Sequence, residues 1–145
     1  MGGEVNPMSE QRELMPAGLS RKQFAALTEH AERAAKMDLE TLRRRVNSHL
    51  EETQRAHHRN RLVNVRLASA ICDSISHAFD RWDELSGDAR NWLGGAILYF
   101  ADCNDDDPDF SSALGFEDDA ELLNACLKHA GMTVQCLAVE DFDDA

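Results

Sequence analysis

Apolar residues recur along most of this chain in steps of three and four, the spacing that puts side chains on one face of an α-helix. Phe24, Leu27, Ala31 and Ala34 form the first such stripe. Ser20 precedes it, and Gln23 three positions later completes a capping box. Met37 closes that segment, and Asp38 is a good N-cap for a second helix whose stripe is Leu39, Leu42, Val46 and Leu50. From Glu51 to Arg61 the stripe fades into charged and polar residues without a Gly or Pro. The helix either continues there as a solvated rod or turns near Asn60. Periodicity returns at Leu62, Val65, Ala68, Ile71, Ile75, Phe79 and Trp82, a long amphipathic helix expected to end near Leu85-Ser86-Gly87.

Ser86 or Asp88 can cap a fourth helix over roughly Ala89 to Ala101. Its apolar residues surround most of the circumference, so it is expected to be the most buried element. Gly94 and Gly95 within it lower helix propensity, and close approach of another helix is the use that offsets this. A last helix is expected from Asp118 or Asp119, either acting as cap, to Ala130, with Gly131 as the stop. Thr133 to Val139 reads as a short apolar tail, strand-like or draped on the core. The resulting fold class is all-α: a compact bundle of four or five helices with an acidic loop between the last two major ones. Residues 1–18 read as a flexible leader, 19–139 as a single helical domain, and 140–145 as an acidic tail.

Charge changes this picture most. Residues 1–66 hold 12 Lys/Arg against 9 Asp/Glu, whereas residues 67–145 hold 3 against 18, so the formal charge of −12 is concentrated in the second half. A half this acidic disfavours direct binding of nucleic acid and of anionic lipid. It favours a protein partner with a basic surface, a cation, or the chain's own basic half. The four cysteines are widely spaced, which suits reduced thiols in a cytoplasmic protein better than a disulfide framework. The longest near-apolar run, Trp92 to Ala101, is about half the ~20 residues of a membrane span.

Candidate chemistry lies in the loop. Five aspartates occupy the eight positions from Asp102 to Asp109. Asp105, Asp109, Asp118 and Asp119 are the oxygen-donor set that would suit Mg²⁺ or Ca²⁺, and a divalent cation is the one cofactor such a set admits. The competing reading is structural, with these carboxylates capping a helix and holding backbone N–H groups in a tight turn. An EF-hand starting at Asp105 fails, because position six is Phe110 and position twelve is Phe116. Asp106 and Asp107, with the basic cluster Arg55, His57, His58, Arg59 and Arg61, are candidate contact residues for a partner. Asp73 and His77 share a helix face as a metal pair or a surface pair. No phosphate-binding Gly-rich loop, Gly-x-Ser-x-Gly elbow, His-Glu-x-x-His or Cys-x-x-Cys occurs.

Counted from Tyr99, residues Asp105, Pro108, Asp109, Phe110, Gly115, Asp118 and Asp119 fall in register with a signature that runs from a Tyr-ending apolar helix through Pro-x-Asp-x-Ile-Pro-Asp to Gly-x-x-Asp-Asp. The segment from about 88 to 130 thereby resembles the YkvA-like family, a bacterial domain of unknown function. Cys103 stands where that family has its first proline, Asp107 replaces an apolar residue, and Ser112 replaces a second proline. The resemblance implies a helical domain in which this loop matters, and it implies no activity. The combined expectation is a small helical interaction or regulatory protein, without catalytic residues, whose acidic C-terminal half binds a basic partner; self-association is compatible with it. The alternatives are a metal-dependent (Mg²⁺ or Mn²⁺) phosphoester hydrolase using the aspartate loop, and an acidic nucleic-acid mimic.

Overall fold

The computed structural model describes residues 16–59, 65–101, 117–132 and 136–137, with the side chains of Glu117 and Asp118 outside that set. Within them the chain forms five α-helices and no strand: α1 Arg21–Ala34, α2 Leu39–Arg59, α3 Val65–Asp80, α4 Gly87–Ala101 and α5 Glu117–His129, with a short 3₁₀ turn Trp82–Glu84 before α4. This is the all-α bundle that the periodicity predicts. Most of the leader and all of the acidic tail lie outside the described residues; of the leader, Pro16 is buried and Gly18 adopts φ +87°.

Local chemistry sets the helix ends. At α1 the Gln23 amide N–H donates to Ser20 Oγ at 3.0 Å while Ser20 N–H donates to Gln23 Oε1 at 2.9 Å, the reciprocal capping box. Asp38 caps α2 through Thr41 N–H at 2.8 Å. The α2 helix runs unbroken to Arg59, which resolves the ambiguity at Glu51 to Arg61 in favour of helix as far as that residue. A buried stripe also persists: Leu42, Val46, His49, Thr53 and Ala56 are all buried, at steps of four and three. Helix α3 stops at Asp80, earlier than its apolar pattern suggested. Arg90 reaches back to the 3₁₀ turn, donating Nε to the Trp82 carbonyl at 2.8 Å and Nη2 to the Asp83 carbonyl at 3.1 Å. Of the two candidate caps for α4, Ser86 serves, with its Oγ accepting from Ala89 N–H at 3.1 Å. At the end of α5, Met132 N–H bonds the Leu127 carbonyl at 2.8 Å and Gly131 N–H bonds Lys128 at 3.1 Å, with Gly131 at φ +82°. That is a Schellman stop, available to glycine because it lacks a Cβ.

Helix α4 is the axis of the bundle, packed by α1, α2 and α5. Leu93, Ile97, Leu98 and Phe100 are essentially inaccessible. The α1–α4 crossing is the tightest, because a Cβ built on Gly95 would lie 2.9 Å from Ala31 Cα and N. One on Gly94 would meet Ala34 Cβ at 3.4 Å. The glycine pair therefore permits two backbones to approach, as its position in an apolar helix predicts. Phe24 against Trp92 and the bond from Gln23 Nε2 to Glu121 Oε1 (2.6 Å) carry α1 onward across α4 and α5. Cys136 and Leu137 lie partly buried against the core.

Candidate functional site

The acidic loop leaves the bundle at Ala101 and rejoins it at Glu117. Asp105, Asp106, Asp107 and Asp109 lie in the segment outside the described residues, as do Arg61 and Cys103. The site is accordingly defined by the frame that anchors the loop. On the entry side, the last turn of α4 presents Tyr99 and Phe100. His30 of α1 meets Tyr99 edge-on at 5.3 Å, and its Nδ1 lies 2.8 Å from the Ala26 carbonyl, so that nitrogen carries the proton and donates it. His49 of α2, 3% exposed, meets the Phe100 ring at 4.6 Å and 85°. Thr53, one turn on, donates its hydroxyl to the His49 carbonyl at 2.8 Å. These aromatic contacts fix the direction in which α4 delivers the chain to the loop.

On the return side the structure corrects one expectation. Helix α5 starts at Glu117, so Asp118 and Asp119 lie inside its first turn rather than before it as caps. Three consecutive acidic residues there complement the partial positive charge of the helix N-terminus. Asp119 is only 2% exposed and is not without a partner. It is thereby separated from the surface residues a docking protein would touch. Among the described residues no group of three or more His, Cys, Asp or Glu is placed to hold a metal.

The basic cluster shares this end of the bundle. Leu39 and Leu42 of α2 line one cleft with Gly87, Arg90 and Asn91 of α4, and His49 stands against Phe100 further along, so α2 and α4 run in the same direction. The ten residues of α2 beyond His49 extend about 15 Å past that contact at 1.5 Å per residue. They bring Arg55, His58 and Arg59, all exposed, and the half-buried His57 to the end where the loop is attached. In the sequence these residues and the aspartates are separate clusters; helix direction puts the basic residues of α2 at the end of the bundle where α4 hands the chain to the loop.

The opposite end is closed by a pair that sequence reasoning missed. His129 Nε2, at the C-terminal end of α5, bonds Asp88 Oδ2, in the first turn of α4. Asp88 occupies the helix end that favours a carboxylate. Neither this pair nor the contacts of His30 with Tyr99 and of His49 with Phe100 involves neighbours in sequence. A partial signal existed for His49, which falls on the four-and-three stripe of α2. Asp73 and His77 are exposed on α3. Desolvation pushes the Cys72 thiol to about 12, with the Asp73 charge adding to it, and burial alone pushes Cys126 to about 12. Cys126 donates its Sγ proton to the Trp92 carbonyl at 3.3 Å. These cysteines are packing residues rather than nucleophiles.

Comparison of the chain with family models, with curated proteins and with solved structures returns no match. No helix among the described residues is long and apolar enough to cross a membrane.

Proposed function

We propose that this chain is a helical interaction protein that engages a partner bearing a basic surface, at the end of the bundle where α4 and α5 anchor the acidic loop. The observation that carries the reading is the charge partition. Residues 67–145 hold 18 carboxylates against 3 cations, with five of the aspartates gathered between two helices. A rigid frame supports it: Tyr99 and Phe100 are held by His30 and His49, and the first turn of α5 is seated by buried Asp119. Rigid anchors reduce the ordering cost that a loop meets on binding. Membership of the YkvA-like family for residues 88 to 130 is part of the same proposal, resting on the in-register signature from Tyr99 to Asp119.

Titration of the full chain with a lysine-rich peptide tests it, at low and at physiological salt. Binding is expected to weaken by an order of magnitude or more as salt rises. Changing Asp105, Asp106, Asp107 and Asp109 together to Asn is expected to abolish it. A control with the same charge change, at Asp73, Asp80, Asp83 and Glu84, is expected to leave most of it. Equal losses in the two variants would reduce the effect to net charge and remove the site.

A further inference from the structure

Residues 136–137 are held on α5 in a manner that ordinary tail packing does not require. The Asn124 side chain grips both ladder groups of one residue: its Nδ2 donates to the Leu137 carbonyl at 2.9 Å, and its Oδ1 accepts from Leu137 N–H at 2.7 Å. The carboxamide thus supplies the donor and acceptor that a neighbouring strand would present. The Cys136 thiol adds a contact to the Asn124 carbonyl at 3.6 Å. A shallow cavity of about 320 Å³ adjoins the clamp, with Leu19 and Ala125 as apolar wall and Glu121 and Lys128 at its polar rim. Burial pushes the Cys136 thiol up, and the Lys128 charge acts in the opposite direction.

Both bonds to Leu137 are made to its peptide groups, so they recognise backbone conformation rather than side-chain identity, and the Cys136 thiol is the one side chain of the bound pair that bonds the site. Specificity would come from the surroundings: an apolar residue at the Leu137 position, seated half-buried, and negative charge nearby for Lys128. The chain's own C-terminus has that composition, Cys136-Leu137-Ala138-Val139-Glu140-Asp141. Recognition of extended peptides through backbone groups, with pockets for alternate side chains, is a recurrent docking mode. Three hydrogen bonds, one of them a weak thiol bond, and two half-buried side chains also make release of this segment a local opening rather than a global one.

We propose that the Asn124 face of α5 is a docking site for an extended, apolar-then-acidic peptide strand, and that the Cys136-Leu137 stretch of this chain is its resident occupant, a reversible strap. Because the strap is tethered, its effective concentration at the site is on the order of millimolar. A free peptide of the same sequence therefore competes poorly until the strap is disabled. Leu137→Pro disables it by removing the N–H that Asn124 accepts, without altering the site itself.

The test uses the full chain and a fluorescent peptide spanning residues 133–145. The peptide is expected to bind the Leu137→Pro protein at least tenfold more tightly than the unmodified protein. Asn124→Ala added to Leu137→Pro is expected to lose that binding. Equal affinity for the unmodified and Leu137→Pro proteins, or binding retained without Asn124, overturns the proposal. Hydrogen exchange on the unmodified protein gives an answer even if a variant fails to fold. The Leu137 amide is expected to exchange at least a hundredfold faster than the amides of Ile97 and Leu98, and exchange at the same rate as those would show that no local opening exists.

Discussion

At the scale of single residues, the contact between Gly95 and Ala31 is the least tolerant point in the bundle. A methyl group on Gly95 would meet backbone atoms at 2.9 Å, which no rotamer change relieves. Gly95→Ala is expected to destabilise by about 2–3 kcal/mol in urea titration, even though alanine favours helix. Gly94→Ala meets only the Ala34 methyl at 3.4 Å and is expected to fall within about 1 kcal/mol of the unmodified protein in either direction. The need for small residues here was legible in the sequence, since glycines in an apolar helix require an offset. Which glycine matters more was not, because that depends on the height at which α1 crosses. The buried thiols give a second residue-scale test. The folded values of Cys72 and Cys126 are raised from 9.0 to about 12, so their contribution is complete below pH 9 and is lost as pH climbs towards 12. Each thiol is expected to remove up to about 1.4 kcal/mol per pH unit in that window. Cys72→Ala and Cys126→Ala should flatten the alkaline limb of a denaturation profile, and an unchanged limb would refute the assignment.

At the scale of elements, boundaries read best where side chains cap the backbone. Ser20 with Gln23, Asp38 and Gly131 were all readable because their partners lie within a few residues. Ser20→Ala and Ser86→Ala are each expected to cost about 1 kcal/mol, because each removes the hydroxyl that accepts from a first-turn N–H; at Ser20 the backbone N–H bond to Gln23 Oε1 survives and keeps Gln23 in place. The Thr41 hydroxyl and N–H hold the Asp38 carboxyl below its usual range. Its contribution is therefore present above pH 3.8 and lost as pH falls through the lowered folded value. Asp38→Asn should remove that acid-limb dependence in a pH-resolved thermal melt. Boundaries read less well where distant groups decide them. The early stop of α3 goes with Arg90 binding the Trp82 and Asp83 carbonyls from the next helix, and the start of α5 at Glu117 puts Asp118 and Asp119 inside its first turn. His49 and Thr53 are polar residues on a buried stripe. His49 packs on the ring of Phe100, about fifty residues away, and Thr53 turns its hydroxyl onto the His49 carbonyl, so a pattern search for apolar side chains passes over both.

At the scale of the whole molecule, the unequal charge of the two halves has to be reconciled with the direction of α2. The carboxylates massed after residue 66 repel one another, and a compact chain bears that repulsion more heavily than an extended one. The topology sets against it the exposed Arg55, His58 and Arg59, at the end of the bundle where Ala101 and Glu117 mark the limits of the acidic loop. Two consequences separate this compensation from simple solvation of a charged helix. Added salt should stabilise the protein, because screening relieves the net repulsion more than it weakens a few local attractions. A rise of a few degrees in Tm between about 20 and 300 mM NaCl is the expected size. Arg55→Glu with Arg59→Glu should lower Tm in dilute buffer, and the difference from the unmodified protein should shrink severalfold at high salt. The same reversal at the exposed Lys36 and Arg44, at the other end of the bundle, changes charge equally but lies away from the loop. Calorimetric melts of the two double variants at both salt concentrations decide the matter: equal and equally salt-sensitive losses would mean that only total charge counts, and that the placement of the basic corner has no bearing on how the acidic half is tolerated.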